Sequence, residues 1–409
     1  MNTDLAEFRN PFKPGAGHMP PHLAGRHHEK AEFLRLIEQT TILENMVLTG
    51  LRGVGKTVLL ETFKPLALKK KWLWVGTDLS ESSSVDEDSI ALRLITDLSV
   101  ITSSMEIGKE QAQTIGFSKK RQEISRTLDF NVLYSLFNGT PGLVIDKVKA
   151  ILQLVARVLK QKEDIRGIIF AYDEAQNLAD HAPKDQYPMS LLLDLFQSIQ
   201  RQDIPFMLVL TGLPTLFPKL VEARTFAERM FRVVFLDKLD EGESKEAITR
   251  PIESVDCPVR FNEDSVNLIV EHSGGYPYFI QFICRETYDI FINKINTGDE
   301  LRVPAESIIR KLDTDFFAGR WARATDRQRE LLSVIAQLPN SEAEFTVQEI
   351  VELSRSLLEN SFSNSHANQM LSTLSDAGLV YKNRHGKYSF AVPLFGQFIL
   401  RQIEQNEET

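Results

Sequence analysis

Eight consecutive residues have the composition needed to hold a chain of phosphates. The run Gly50-Leu51-Arg52-Gly53-Val54-Gly55-Lys56-Thr57 fits the P-loop pattern G-x-x-x-x-G-K-[ST]. Its glycines let backbone N–H groups converge on an anion at the start of a helix. Lys56 would reach the β- and γ-phosphates, and Thr57 would place its hydroxyl on Mg²⁺. The alternative is a glycine-rich turn with a chance lysine.

The residues on either side of this run argue against the chance turn. Residues 45–49 are mostly apolar and predict a buried strand, whereas residues 58–63 predict the first turns of a helix. A strand before the loop and a helix after it are the context that a P-loop requires. We therefore predict that the phosphates are bound by Gly50, Gly53, Val54, Gly55, Lys56, Thr57 and Val58.

A second motif lies where an apolar run ends in two acids. Residues 168–172 read as a buried strand, and Asp173 and Glu174 follow directly. Many strands end in acidic turns, so the pattern is weak alone, but it is strong when it follows a P-loop. Asp173 would hold Mg²⁺, and Glu174 would orient and deprotonate the attacking water. The two motifs together predict ATP hydrolysis.

Two further polar residues are candidates for this chemistry. Thr211 ends another apolar strand, where its hydroxyl would sense the γ-phosphate or would instead bond to local backbone. Arg229 precedes the strand at residues 233–236 and is predicted to act as an arginine finger on a neighbouring copy. Arg232 is its local rival and Arg224 a weaker one. A surface ion pair of Arg229 with a carboxylate is the alternative.

The order of patterns along the chain predicts the domains. Strands and helices alternate up to about residue 240, which predicts a three-layer α/β core with a parallel sheet. Helices follow, and then three helices with a hairpin, which is the winged-helix pattern. We predict an extended arm over 1–28, a nucleotide-binding α/β core over 29–240, a helical lid over 241–324 and a winged-helix domain over 325–409.

The segment from 101 to 164 is longer than a minimal core needs. It contains ten Lys/Arg against seven Asp/Glu, including the cluster Lys119-Lys120-Arg121. We interpret it as a solvated helical insertion, with a contact to a partner or a nucleic acid as the alternative. The Pro/Gly-rich arm likewise has two interpretations, a packed tail or a segment that covers the adenine.

Composition narrows the setting. The 409 residues have a formal net charge of −9, so bulk charge does not favour binding to a polyanion. The two cysteines, Cys257 and Cys284, lack metal-ligand spacing and favour a reducing, cytoplasmic compartment. No apolar run approaches the ~20 residues of a membrane span, and no export signal is visible at the N-terminus.

The motifs together resemble a known family. In order they are Gly25-Arg26, the P-loop, Asp173-Glu174, Thr211-Gly212-Leu213-Pro214, Arg229-Met230-Phe231 and Gly275-Tyr276-Pro277. This order resembles AAA+ ATPases of the STAND and origin-recognition/initiator-like branch. The resemblance implies a lid over the nucleotide, with Gly25, Arg26 and Pro277 among the nucleotide contacts. It also implies the strand order 5-1-4-3-2 and a homo-oligomer in the ATP-bound state.

The expected function is an ATP-hydrolysing switch, with ATP and Mg²⁺ bound, that controls a protein partner or a nucleic-acid complex. A nucleotide-gated scaffold with negligible hydrolysis and a small-molecule kinase are the alternatives. DNA binding is expected to be weak and non-specific, because residues 321–409 hold eight Lys/Arg against eleven Asp/Glu. Such contacts would use the 101–164 insertion or the wing residues Lys382, Arg384, His385 and Lys387.

Overall fold

The computed structural model describes residues 9–112, 122–162, 164–253, 257–297, 301–384 and 386–407. The chain divides into two compact units. The sheet unit comprises His27–Thr49 and Leu59–Phe235. The helical unit comprises Met1–Arg26, Gly50–Val58 and Leu236–Thr409. No helix in the described ranges has the length and apolar character needed to cross a membrane.

A five-stranded sheet forms the centre of the sheet unit. Its strands are β1 (Asn45–Gly50), β2 (Trp72–Val75), β5 (Gly167–Tyr172), β6 (Phe206–Gly212) and β7 (Phe231–Leu236). Their spatial order is β2-β5-β6-β1-β7, and β2, β5, β6 and β1 run parallel. Every residue of β1, β5 and β6 is buried, as expected for parallel strands covered on both faces. The predicted strand order 5-1-4-3-2 is confirmed.

Helices on both sides of the sheet supply the outer layers. They are α1 (His27–Glu38), α2 (Lys56–Lys69), α3 (Glu87–Thr102), α4 (Phe130–Gly139), α5 (Val144–Leu159), α6 (Pro188–Gln200), α7 (Leu216–Ala223) and α8 (Ala227–Met230). In α5 the apolar residues recur at helical spacing, so Val148, Ile151, Leu152 and Val155 are all buried. The predicted three-layer α/β fold class is confirmed.

The segment from 101 to 164 is not purely helical, so that part of the prediction was wrong. An antiparallel hairpin of β3 (Glu106–Ala112) and β4 (Gln122–Thr127) lies between α3 and α4. Neither strand has a continuous apolar run, and therefore the sequence pattern gave no strand prediction there. The cluster Lys119-Lys120-Arg121 lies outside the described residues.

The helical unit contains the remaining elements. Its helices are α9 (Glu241–Glu253), α10 (Glu263–Ser273), α11 (Pro277–Thr297), α12 (Ala305–Leu312), α13 (Ala318–Trp321), α14 (Asp326–Ala336), α15 (Val347–Leu357), α16 (Asn364–Asp376) and α17 (Phe395–Glu407). A π-helical turn, Asp313–Phe317, joins α12 to α13. Its strands are β8 (Phe345–Thr346), β9 (Val380–Arg384) and β10 (Lys387–Phe390), in the order β8-β10-β9.

The C-terminal part has the three predicted helices and the hairpin in the predicted order. Thr346 and Glu349 form the predicted capping box at the start of α15. Helix α17 was not predicted, and it packs against the π-helical turn Asp313–Phe317. The ring of Phe317 lies 5.3 Å from that of Phe398, and Arg401 forms an ion pair with Asp313. The lid and the C-terminal helices therefore share one hydrophobic core, and the boundary at residue 325 stays a prediction.

Candidate nucleotide-binding site

The P-loop backbone has the conformation that its glycines allow. Gly53 and Gly55 have φ values of 80° and 91°, in the left-handed region that side chains disfavour. A Cβ atom at Gly55 would have no heavy atom within 4 Å, so the space beside this residue is open. Val54 between them is buried. A buried valine between two glycines with positive φ is suited to a loop whose N–H groups bind an anion.

Lys56 lies at the start of α2 and bends back over the loop. Its Nζ donates to the carbonyl oxygens of Gly50 and Leu51, at 2.9 Å each. Lys56 therefore holds its charge against the loop's own carbonyl groups. Phosphate oxygens are stronger acceptors for an ammonium group than neutral carbonyls are, so bound phosphates would compete well for Nζ.

Gly25 and Arg26 support the P-loop from the N-terminal arm. The Arg26 guanidinium is buried and donates to the Val54 carbonyl at 3.0 Å and to the Asp237 carbonyl at 2.7 Å. Gly25 has φ +63°, and a Cβ atom there would lie 2.6 Å from a Glu243 carboxylate oxygen. The described contacts of Arg26 thus go to backbone that shapes the loop. A direct contact of Gly25 or Arg26 with nucleotide stays a prediction.

The lid motif reaches the P-loop through the residue after Pro277. The Tyr278 N–H donates to the Gly53 carbonyl at 3.1 Å. A Cβ atom at Gly53 would lie 3.2 Å from Tyr278 Cβ, so only glycine fits this approach comfortably. Pro277 opens α11 and sets the position of Tyr278. Pro277 was predicted from the sequence as a nucleotide contact, whereas the adjacent Tyr278 was not identified.

The N-terminal arm is a packed extended segment over its described part. Phe12 is buried, and its ring stacks on that of Phe261 with 6.1 Å between centroids. The Asn10 side chain donates to Asp289 at 2.7 Å. Further along, a Cβ atom at Gly17 would lie 3.2 Å from Thr57 Cγ2. The arm therefore runs from α11 to the P-loop, and a role in covering the adenine stays a prediction.

In the sheet unit, Asp173 and Glu174 follow β5 at the carboxyl edge of the sheet. Asp173 is buried and pairs through a parallel bridge with Asp78, which follows β2. One Asp173 carboxylate oxygen accepts from the Glu174 N–H at 2.8 Å. Glu174 is exposed and has φ 51°, an uncommon backbone conformation for a residue other than glycine. The turn thus buries one carboxylate and presents the other to solvent.

Two threonine hydroxyls at the same edge have no partner within the described chain. Thr211 ends β6 and Thr49 lies near the end of β1, and both are buried. Neither Oγ1 atom makes a hydrogen bond. The alternative that Thr211 bonds to local backbone is therefore not what the described contacts show. A buried hydroxyl without a partner is destabilising by about 1–3 kcal/mol, so each hydroxyl is available for a group absent from the chain itself.

Gln176 links the acidic pair to the end of β6 and was not identified from the sequence. Its side-chain amide donates to Glu174 Oε2, and its Oε1 accepts from the Leu213 N–H at 3.1 Å. A Cβ atom at Gly212 would lie 2.7 Å from Gln176 Oε1, so glycine leaves room for the amide. Gln176 therefore holds the Glu174 carboxylate relative to the strand that carries Thr211.

The three candidate finger arginines differ in their contacts. Arg232 donates to Glu32 at 2.8 Å, and Arg224 donates to Asp194 at 2.7 Å. Hydrogen bonding to Asp194 raises the pKa of Arg224, which makes it a fixed structural cation. Arg229 is exposed, and its side chain makes no hydrogen bond or ion pair with any described residue. Of the three, Arg229 alone is unengaged in this part of the chain.

Two predicted metal ligands, Asp173 in the sheet unit and Thr57 in the helical unit, carry oxygen donors, and their joint binding of one Mg²⁺ stays a prediction. The described residues contain no group of three His, Cys, Asp or Glu side chains that would enclose a metal ion. Mg²⁺ prefers oxygen ligands, takes one or two from protein and completes its shell with water and substrate phosphates. The buried Asp173 carboxylate and the Thr57 hydroxyl are ligands of that type.

Several solved structures are similar to this chain. The ORC2 protein of Aeropyrum pernix in its ADP form has a TM-score of 0.54 at 14% identity, with 96% of this chain and 99% of that chain covered. Its ADPNP-ADP complexes give 0.50 at 14% identity, with 97% and 98% covered. The Aeropyrum pernix ORC1 protein in complex with DNA gives 0.46 at 16% identity, with 94% of each chain covered.

These similarities show the fold: over nearly its whole length the chain has the fold of the Aeropyrum pernix ORC2 protein. One family model matches, over residues 314–399, and it describes a domain of unknown function, DUF8462. No curated protein matches this chain. The matched residues begin in the π-helical turn and end in α17, and so they comprise the part that shares a core with the lid.

Arg26→Gln is expected to destabilise the protein. The substitution removes the charged donor from the Val54 and Asp237 carbonyls, and the loss is expected to be about 1–3 kcal/mol. Arg26→Lys should restore only part of it, because the shorter lysine side chain does not place its nitrogen where Arg26 Nη2 donates to both carbonyls. Thermal unfolding measures the effect, with the exposed Arg35→Gln as control. Equal midpoints for Arg26→Gln and Arg35→Gln would contradict the supporting role of Arg26.

Proposed function

We propose that this protein is a nucleotide-dependent switch that binds ATP with Mg²⁺ and hydrolyses it to ADP and phosphate. The observation that carries the proposal is the geometry of the P-loop. Two glycines with positive φ flank a buried valine, and Lys56 lies over the loop at its helical end. A loop of this shape at a helix N-terminus is suited to a polyphosphate and to few other ligands.

In the proposed reaction, Gly50, Gly53, Val54, Gly55, Lys56, Thr57 and Val58 bind the phosphates. Asp173 and Thr57 would hold Mg²⁺, which when bound neutralises charge on the β- and γ-phosphate oxygens. Glu174 orients a water molecule and accepts its proton as the water oxygen attacks the γ-phosphorus. The bond to the bridging oxygen breaks, and ADP leaves. Lys56 follows the charge that develops on the transferred phosphoryl group.

Thr211 has a distinct role in this proposal. Its buried hydroxyl lacks a partner in the described chain, and a γ-phosphate oxygen or the attacking water would supply one. Because Thr211 ends β6, a change at this hydroxyl on hydrolysis would act on the same strand end that Gln176 holds. Hydrolysis of the γ-phosphate would thereby affect both the Glu174 carboxylate and the end of β6.

The switch is proposed to act through the lid and through other copies of the chain. Tyr278 bonds to Gly53, so the first turn of α11 is tied to the phosphate loop, and we propose that Pro277 contacts the nucleotide there. The resemblance of the sequence motifs to STAND and initiator-like AAA+ ATPases supports two further parts of the proposal. These are control of a protein partner and a homo-oligomer in the ATP-bound state. A solved relative is an ORC1 protein in complex with DNA. We propose weak, non-specific DNA contact for this chain, because α16 contains no Lys or Arg.

A scaffold that binds ATP and hydrolyses little is the second candidate. The amide of Gln176 engages the Glu174 carboxylate, which would have to release or share this hydrogen bond to reach water. The rate of phosphate release decides between the two functions.

Glu174→Gln is expected to keep ATP binding and to lower turnover by about 10²–10⁴-fold, because the amide cannot accept the proton from water. ATP affinity and phosphate release, measured on the same preparation, test this. Glu222→Gln, an exposed carboxylate on α7, is the matched control. A Glu174→Gln variant that turns over like Glu222→Gln would exclude Glu174 as the base.

Gln176→Ala is expected to lower kcat by about tenfold with little change in KM, since a hydrogen bond to a charged group contributes about 1.5–3 kcal/mol. The lost contact positions the base and does not bind the substrate. Asn177→Ala is the control, because Asn177 lies in the same turn and its amide donates to Leu79 instead. An equal loss in both variants would mean that Gln176 only stabilises the turn.

Arg229→Ala is expected to lower turnover by about 10³-fold or more if Arg229 acts on the γ-phosphate of a neighbouring copy. Specific activity of the wild type should rise with protein concentration. A mixture of Arg229→Ala and Lys56→Ala should recover activity, because each copy supplies what the other lacks. A rate independent of concentration, together with no recovery on mixing, would reject this role. Arg232→Ala, which instead removes the ion pair with Glu32, serves as the comparison.

A further inference from the structure

Three arginines of the helical unit, Arg52, Arg320 and Arg323, lie close enough for the charges of the first and third to act on the second. Arg52 lies within the loop, and its Nη2 atom is 3.4 Å from where a Cβ atom at Gly378 would be. Arg320 lies in α13, with its guanidinium 4.2 Å from the centre of the Phe316 ring. Arg323 follows α13 and is exposed, as is Arg52.

Two aromatic rings connect the P-loop to this cluster. The Tyr278 N–H bonds to Gly53, the residue after Arg52, at 3.1 Å. The Tyr278 ring lies 5.1 Å from the Phe316 ring, and the Phe316 ring lies against Arg320. The aromatic pair therefore fixes Arg320 relative to the loop, whereas Arg52 and Arg323 are exposed.

The charges of the cluster are not neutralised within the described chain. None of Arg52, Arg320 and Arg323 makes an ion pair with any residue in the described ranges. Arg320 donates one guanidinium N–H to the Phe316 carbonyl, while its Nε is buried and has no hydrogen-bond partner. The nearby Asp315 helps to raise the pKa of Tyr278, after burial as the main cause, yet it does not pair with the arginines.

The electrostatics agree with the geometry. Burial lowers the pKa of the Arg320 guanidinium, and the positive charges of Arg52 and Arg323 lower it further. Repulsion of the half-buried Arg320 guanidinium by the charges of Arg52 and Arg323 is unfavourable. An oxyanion that accepts hydrogen bonds from several of the three guanidinium groups would offset this repulsion. The planar guanidinium matches phosphate oxygens in pairs, which an ammonium group does not.

We propose that Arg52, Arg320 and Arg323 form an anion site that binds a phosphate group, distinct from the backbone nest of the P-loop. The site does not depend on ATP hydrolysis. The phosphate group can come from a small phosphate such as pyrophosphate or from a phosphodiester of a nucleic-acid backbone, since the three arginines recognise the same oxygens in each.

The test uses the full chain with Lys56→Ala, which removes the phosphate-binding lysine of the P-loop. Thermal unfolding is followed at low salt during a titration with pyrophosphate, with sodium chloride at matched ionic strength as the reference. A saturable rise in the midpoint is expected with pyrophosphate. Adding Arg320→Gln should weaken the apparent affinity by at least about tenfold, since a charge-assisted hydrogen bond is lost. Arg310→Gln, an exposed arginine paired with Glu306, should leave the affinity unchanged.

Arg52→Gln and Arg323→Gln extend the test with exposed residues that are not needed for packing. Each should weaken the response to pyrophosphate and, in the absence of the anion, raise the midpoint at low salt because repulsion decreases. In a second arm, a short DNA duplex replaces pyrophosphate. A response to the duplex alone, lost in the arginine variants, identifies the phosphodiester as the source. The proposal is overturned if neither ligand raises the midpoint, or if the arginine variants respond like Arg310→Gln.

Discussion

The structure depends on keeping a short loop open with its amide groups turned inward. A loop of this kind turns carbonyl groups away from the anion, and each of these needs a donor. Here Arg26 bonds to Val54, Tyr278 bonds to Gly53, and Lys56 bonds to Gly50 and Leu51. The arm, the lid and the helix after the loop each supply one donor. With its carbonyl groups satisfied from outside, the loop can leave its N–H groups for a polyphosphate.

In the sheet unit, the polar groups at the carboxyl edge of the sheet also depend on a few contacts. Buried parallel strands end at one edge, where the buried Thr211 hydroxyl has no hydrogen-bond partner in the described chain and is unfavourable for that reason. Gln176 joins the neighbouring carboxylate of Glu174 to the end of β6. In the proposed function, the Thr211 hydroxyl gains a partner at this edge when a nucleotide and water bind.

Local motifs could be predicted from the sequence, and contacts between distant segments could not. The P-loop, the Asp173-Glu174 turn and the α16 helix depend on neighbouring residues, so their spacing was sufficient. Tyr278 and Gln176 act through residues 225 and 37 positions away, at Gly53 and Leu213, and no spacing rule relates such pairs. The β3–β4 hairpin was missed because its strands are polar. The strand order came from the resemblance to AAA+ proteins, which the similar solved structures support for the fold.

Phosphate release from ATP, measured on the wild type and on Lys56→Ala at equal concentrations, tests directly whether this protein hydrolyses ATP at its P-loop. Loss of the ammonium group removes the side-chain charge that follows the transferred phosphoryl group. We expect saturable, magnesium-dependent release by the wild type and only background release by Lys56→Ala. ATP that binds saturably to the wild type without phosphate release above the Lys56→Ala background would contradict hydrolysis and leave a nucleotide-gated scaffold.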